Sequence, residues 1–404
     1  MKQINNGIDM IRSILITLCC ILALNTAAQA NALSKFSQLK NAGLLVVDKQ
    51  GYSLMAENNL RPFIPASTTK LVTAWLALNH WGEDHHFTTD FYYNPNNATL
   101  SVKGSGDPFL VSEELAIIAA QLRQRGVRSV RHLVLDGSRF RRGLVLPGTS
   151  RTNNPYDAVP SALAANFNTI HLKKVNGRVR SAETQTPLTP YAKNMAKGFK
   201  KGKLRINTGH NPRKAEHYFG ELLLAFLKQE GVSVSGKITS GRAPKGQPFY
   251  QHVNSRTLGD MIRPMMKYST NFIANQLVLM MSSEYYQRPA NAADVRKYME
   301  SNLRAAFQWK HFHFEEGAGL SRRNRISPNQ LVQLLQDFTQ WRHLLPEVES
   351  GVFAKSGTLK NVSTLAGYIV EGNDWQPFAL MMNQSVPYKL RNRIAKELRQ
   401  TMKL

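Results

Sequence analysis

A serine and a lysine stand three residues apart near the start of the chain, in Pro65-Ala66-Ser67-Thr68-Thr69-Lys70. Leu71, Val72, Trp75 and Leu76 follow at helical spacing, so the stretch is predicted to be a helix. Positions i and i+3 share a helix face, which lets the Ser67 hydroxyl meet the Lys70 amine. A serine is a poor nucleophile until a base sits beside it. Two later clusters carry the same kind of groups, Ser269-Thr270-Asn271 and Lys355-Ser356-Gly357-Thr358. Ser269 lies half of the 404-residue chain beyond Ser67. A fold that uses all three clusters has to bring distant segments together. Ser37-Gln38-Leu39-Lys40 repeats the Ser-x-x-Lys spacing and is read as accidental.

An ordinary lysine, with a pKa near 10.4, is protonated at neutral pH and cannot act as a base. Lys70 has to be desolvated or set beside another cation, and Lys355 is the candidate cation. The pairs His85-His86 and His311-x-His313 lack the helical spacing of a metal site and are read as surface and strand residues, so no metal and no cofactor is expected. Glu315-Glu316 lies among glycines and reads as a structural loop rather than an acid–base pair.

Leu44 to Val47, the turn Asp48 to Gly51 and Tyr52 to Met55 read as a β-hairpin. Val352 to Leu359, Leu365 to Val370 and Phe378 to Met382 read as three strands, with Gly372-Asn373-Asp374 turning between the last two. Lys389 to Met402 reads as a basic amphipathic helix. Two strands, a helix bearing the serine, three strands and a last helix predict one α/β (α+β) domain split in sequence. Its expected form is a five-stranded antiparallel sheet flanked by helices, built from residues 31–80 and 254–404. Residues 81–253 are expected to be an inserted α/β domain, since insertion is tolerated at exposed loops. Within it, Leu122 to Val130 echoes Leu227 to Val234: a helix end, a glycine at the cap and a strand start. Arg178 to Lys214 is expected to be loop-rich.

Residues 1–30 read as a secretory signal peptide, cleaved near Ala30, with an uncleaved N-terminal anchor as the alternative: Lys2 and Arg12, an apolar run from Ile14 to Leu24, and Ala28-Gln29-Ala30. Both cysteines, Cys19 and Cys20, fall inside it, which excludes thiol catalysis and a disulfide framework in the remainder. The formal charge is +25. Such an excess favours polyanions. An exported protein rarely meets nucleic acid, so an anionic envelope surface is the expected partner, with a merely solubilising charge as the alternative.

With the three clusters in order, the chain resembles the class C low-molecular-mass penicillin-binding proteins, the D-alanyl-D-alanine carboxypeptidase/endopeptidase family. Class A β-lactamases share the cluster trio. Further segments carry the resemblance from about Gly43 onward: Gly104 to Leu110, Leu135 to Phe140, Tyr156 to Leu163, Asn166-Phe167-Asn168 and Glu316 to Arg322. The chain departs from the family pattern at Thr270, Ser356, Glu316 and Ala318. The resemblance implies a serine β-lactamase/transpeptidase-like fold and a periplasmic enzyme acting on peptidoglycan stem peptides. It also implies covalent inhibition by β-lactams. Ser67 would be the nucleophile and Lys70 the base. Ser269 would relay a proton to the leaving amine, and Asn271 would hold Lys70 and the substrate amide. Lys355 would draw the substrate carboxylate, with Ser356 and Thr358 contacting it and Gly357 admitting the substrate backbone. The Ser67 and Thr358 N–H groups would form the oxyanion hole. A β-lactamase or esterase of the same fold, and a non-catalytic wall-binding protein, are the competing readings.

Overall fold

The computed structural model describes residues 32–401, so the expected signal peptide and its cleavage site lie outside the described residues. The first sheet is antiparallel and has the order Glu347–Glu349, Val352–Leu359, Val362–Glu371, Asp374–Met382, Ala42–Val47, Ser53–Glu57. Five of these strands are the expected ones. The sixth, Glu347–Glu349, is a correction to the five-stranded expectation. It is three residues long, too short for an alternating pattern to reveal.

The inner strands of the sheet are buried on both faces, which explains their apolar runs. Side chains alternate across a strand. Leu44 and Val46 face one core with the terminal helix Leu390–Thr401 and the helix Ala32–Ser37. Leu45 and Val47 face the other with the helices Thr69–Trp81, Leu258–Tyr268 and Asn271–Tyr286. The terminal helix buries Leu390, Ile394, Ala395 and Leu398. That spacing gives one apolar stripe, and the basic residues take the rest of the surface. Helix Thr69–Trp81 buries its first ten residues on every side, including Lys70. Each large apolar side chain so buried stabilises the fold by roughly 1.5–3 kcal/mol. That gain offsets the cost of enclosing a lysine among them.

Two further sheets come from the middle of the chain. One has the order Tyr250–Thr257, His86–Asn94, Thr99–Lys103, Ser129–Asp136, Ser233–Ser240. The other has the order Arg178–Ser181, Thr169–Val175, Gly202–Asn207. The strand Tyr250–Thr257 runs across the expected boundary at 253/254 and directly into helix Leu258–Tyr268. The segment expected to be loop-rich holds two strands of the three-stranded sheet and the short helix Pro190–Met195. Its basic residues alternate outward along edge strands, which masks their period.

The internal echo is structural. Helices Ser112–Gln124 and Pro212–Gln229 each lead into a strand, and those strands pair in parallel with Ser129 opposite Ser233 and Val130 opposite Val234. Both helices close the same way: Val127 N–H donates to Leu122 O and Val232 N–H to Leu227 O, around left-handed Gly126 and Gly231. This six-to-one bond over a glycine satisfies the free carbonyls of a helix end.

Candidate active site

Ser67 sits in the single 3-10 turn Ala66–Thr68 that leads into helix Thr69–Trp81. Its N–H lies at the positive end of that helix, where a developing anion is favoured. The turn is pinned from outside. Thr364 donates its hydroxyl to Pro65 O at 2.8 Å, and Asn383 Oδ1 accepts from Ile64 N–H at 2.7 Å. Ala66 is left-handed (φ 48°), an unusual state for a residue with a side chain. Gly319 holds it there by close approach: a Cβ on Gly319 would come within 1.8 Å of Ala66 O.

Lys70 Nζ stands 3.1 Å from Ser67 Oγ, 2.8 Å from Asn271 Oδ1 and 2.7 Å from Ala318 O. The last two partners only accept, so they take two N–H bonds. The third position faces Ser67 Oγ. A neutral amine places its lone pair there and can receive the hydroxyl proton. Lys70 is fully buried. Burial holds its pKa well below the ordinary lysine range, the Lys355 charge pushes the same way, and Glu316 opposes them.

Glu316 is a buried anion built into a loop. Its carboxylate accepts N–H bonds from Ala318, Gly319 and Ser321 and one from the Asn324 side chain. Asn275 and Thr73 fasten Gly317 between two helices. The loop therefore presents Ala318 O to Lys70 in a fixed place. The structural reading of Glu316 stands, and the loop also supplies a lysine ligand that the sequence reading missed. Main-chain carbonyls leave no side-chain signature, so no motif could have marked it.

Asn271 opens helix Asn271–Tyr286, and its Nδ2 donates to Tyr156 O at 3.1 Å, which fixes the amide with its oxygen toward Lys70. Ser269 is the left-handed cap of the preceding helix (φ 56°). It is close in sequence to Asn271, yet it is absent from the three partners of Lys70.

Lys355, Ser356, Gly357 and Thr358 lie on strand Val352–Leu359, beside the serine turn. A Cβ on Gly357 would come within 2.8 Å of both Pro65 O and Ser67 N. The short strand Glu347–Glu349 pairs only with Val352 and Phe353. Ala354 N–H donates to Pro346 O on that side. Strand alternation turns the N–H groups of Ser356 and Thr358 the same way, where no described strand meets them. The result is an open edge next to Ser67. Lys355 is buried, with Nζ on Ser356 O at 2.7 Å. Burial first, then the neighbouring Arg391 charge, lower its pKa to about 7. Arg391 reaches Gly357 O at 2.6 Å and Thr358 Oγ1 at 2.7 Å. It was legible only as one charge of a basic helix.

Enclosing a lysine costs stability. The unfolded chain binds the Lys355 proton up to the ordinary lysine pKa, and the folded chain only up to about 7. The penalty is therefore full below about 7 and fades as pH rises through the ordinary range. Lys355→Met should stabilise the fold at pH 6.5 by roughly 2 kcal/mol. Denaturant melts should show the gain shrinking toward pH 10. A gain that is absent, or constant with pH, contradicts this reading of Lys355.

The architecture and the convergent serine, lysine and asparagine define a serine β-lactamase/transpeptidase-like enzyme. Residues 25–350 match the D-Ala-D-Ala carboxypeptidase 3 (S13) family, and the chain belongs to that family. It is a serine-type D-Ala-D-Ala carboxypeptidase. A relative described as D-alanyl-D-alanine carboxypeptidase DacB, from Haemophilus influenzae, is 26% identical over 83% of each chain. A D-alanyl-D-alanine carboxypeptidase from Actinomadura sp. (strain R39) is 24% identical over 85% of this chain and 77% of its own. The crystal structure of penicillin binding protein 4 (dacB) from Haemophilus influenzae has a TM-score of 0.75 and 22% identity, covering 93% of this chain and 98% of that one. A predatory peptidoglycan endopeptidase from Bdellovibrio bacteriovorus has a TM-score of 0.55 and 15% identity, covering 90% and 92%. Among the described residues no helix is long and apolar enough to cross a membrane.

Proposed function

We propose that Ser67 attacks the carbonyl of the penultimate D-alanine of a peptidoglycan stem peptide and that Lys70 is the base. The observation that carries this is Lys70 Nζ, enclosed and cation-repelled, with two N–H bonds taken by Asn271 and Ala318 and its remaining position on Ser67 Oγ. The proton moves from Oγ to Nζ as the Oγ–C bond forms. The tetrahedral oxygen anion settles between the N–H groups of Ser67 and Thr358. Preorganised donors of this kind are worth more than equivalent donors in water because they need no reorganisation. The C–N bond then breaks, and D-alanine leaves with a proton returned to its amine. Water releases the remaining acyl group from Ser67 by the same path. Asn271 holds both the base and the substrate amide. Ser269 keeps a relay role to the leaving amine on the strength of its cluster alone.

The substrate peptide lies along the open edge of Val352–Leu359 as an added strand, a mode in which main-chain bonds supply affinity. Lys355 and Arg391 make that edge cationic, and Ser356 and Thr358 offer hydroxyls to the terminal carboxylate. A β-lactam presents the same carbonyl and carboxylate, and would acylate Ser67. A complex of the Haemophilus influenzae relative with a β-lactam, and a penicillin G acylated endopeptidase from Bdellovibrio bacteriovorus, support this. The enzyme is proposed to be exported to the periplasm, with residues 81–253 forming an inserted domain that contributes Tyr156 O to the site.

The excess of positive charge includes stretches far in sequence from the three clusters, such as Arg139 to Arg142 and Lys197 to Arg205. It should hold the enzyme on the anionic wall or membrane surface. Exposed charges are screened beyond about 10 Å at 0.1 M salt. D-Alanine release from a small soluble D-Ala–D-Ala peptide should therefore change little with salt, while binding to purified sacculi should weaken steeply. Equal slopes would make the bulk charge a solubilising feature only. No D-alanine release at any salt concentration would overturn the function.

A further inference from the structure

One cavity lies away from Ser67. It has a volume of about 800 Å³ and opens where Asp136 and Ser240 end two parallel neighbouring strands, beside the first turn of helix Pro212–Gln229. Parallel strands leave their carboxyl ends and the adjoining helix N-terminus free to face a ligand, and the crevice there is the usual binding place of such sheets.

Two observations mark it as a built site. The first is Glu216. It is 7% exposed, lines the cavity, and makes no hydrogen bond among the described residues. Gly137 makes room for it, since a Cβ there would fall 2.0 Å from Glu216 Oε1. The oxygens of Glu216 are not among the atoms sealed off without a partner, so they remain reachable from the cavity and free to bond a ligand there. Burial and the nearby Asp136 push its pKa up to about 7, against the pull of Arg213. Asp136 is itself engaged, accepting from Ser138 and Ala243 N–H groups.

The second observation is the wall. Arg141, Arg142, Arg213 and Arg242 line the cavity, and none forms a salt bridge among the described residues. Together with the helix N-terminus they favour an anion. An inorganic anion would fill only a small part of the volume, which lies within the roughly 300–1,000 Å³ usual for small-molecule sites. The remaining lining offers hydroxyls from Ser138 and Ser240, the His210 ring, the aromatic face of Phe140 and small apolar faces such as Pro160 and Ala162. Such a mixture suits a sugar, which carries hydroxyls at its ring edge and C–H groups on its faces.

We propose that this cavity is a second binding site, for an anionic sugar whose carboxylate or phosphate sits among the arginines and whose hydroxyl or amine bonds Glu216. The site shares no residue with the Ser67 cluster, and it stands or falls independently of the peptidase reading.

Isothermal titration calorimetry on the chain tests it, with N-acetylmuramic acid as the carboxylate probe, glucosamine 6-phosphate as the phosphate probe, and N-acetylglucosamine and inorganic phosphate as partial ligands. One of the two anionic sugars should bind saturably below about 10 mM, at least about tenfold tighter than either partial ligand. The tighter of the two identifies the anion. The exposed double substitution Arg213→Ala/Arg242→Ala should weaken binding about tenfold or more while leaving hydrolysis of the soluble D-Ala–D-Ala peptide unchanged. Glu216→Leu should abolish binding and Glu216→Gln should retain most of it. Absence of saturable binding overturns the proposal. So does binding indifferent to the arginine substitutions, and so does inorganic phosphate binding as tightly as the sugars.

Discussion

Lys70→Ala should acylate with penicillin about 10²- to 10⁴-fold more slowly than the native chain, the range expected when a general base is removed. The lysine makes two kinds of contribution. In the proposed mechanism it receives the Ser67 proton, and in the structure it fills a buried position among Asn271 Oδ1, Ala318 O and Ser67 Oγ. Alanine leaves those acceptors unpaired. Lys70→Met restores the volume without the base, so both variants should share the kinetic loss if the base matters most. The pH profile adds a second readout. The pKa of Lys70 is lowered by burial and by Lys355, so its reactive neutral form grows as pH rises. Lys355 loses its charge as pH passes about 7, which should weaken the hold proposed for it on a substrate carboxylate. The native acylation rate should accordingly rise and then fall with pH. Acylation at the native rate in Lys70→Ala would place the base elsewhere. Rapid refolding with unchanged acylation in Lys70→Met would do the same.

Gly319→Ala should be the most destabilising single methyl addition near the site. Its Cβ would lie 1.8 Å from Ala66 O and 3.0 Å from Ser67 N, and Gly319 has φ +85°. The contact is backbone against backbone, so no flexible side chain can yield. Either the Glu316 loop or the serine turn has to move. A move of the loop takes Ala318 O away from Lys70, and a move of the turn takes Ser67 away from strand Val352–Leu359. Gly372→Ala separates steric clash from backbone strain. Gly372 also has a left-handed φ, +58°, but nothing stands within 4 Å of its Cβ. Backbone strain alone costs about 1–2 kcal/mol. Gly319→Ala should cost upward of about 3 kcal/mol and slow acylation, whereas Gly372→Ala should only lower the melting point. Equal destabilisation of the two, with native acylation in both, would show that the loop does not position the site.

The sequence made some features legible because they depend on side-chain type at fixed spacing. Ser67 and Lys70 meet because helix geometry brings i and i+3 to one face. Strand Val352–Leu359 was readable from its apolar run and its bounding turn residues. The paired helix-to-strand joints at Gly126 and Gly231 were visible because left-handed caps select glycine. Other features depend on main-chain atoms or on long-range packing. The Ala318 carbonyl and the Tyr156 carbonyl hold Lys70 and Asn271, and carbonyls carry no residue signature. The strand Glu347–Glu349 has no pattern because its pairing is imposed by Phe353 and Val352 opposite it. Arg391 could be read as basic but not as a neighbour of Thr358, since that contact follows from how the terminal helix packs on the sheet. Ser269 is the reverse case. Its cluster is legible, and its left-handed cap leaves it off the Lys70 network.

Intact-mass spectrometry after incubation with penicillin G tests whether Ser67 is the nucleophile. The native chain should gain one penicilloyl group, peptide mapping should place it on Ser67, and Ser67→Ala should gain none. An adduct on Ser37, or an adduct that persists in Ser67→Ala, would contradict the assignment of Ser67 as the nucleophile.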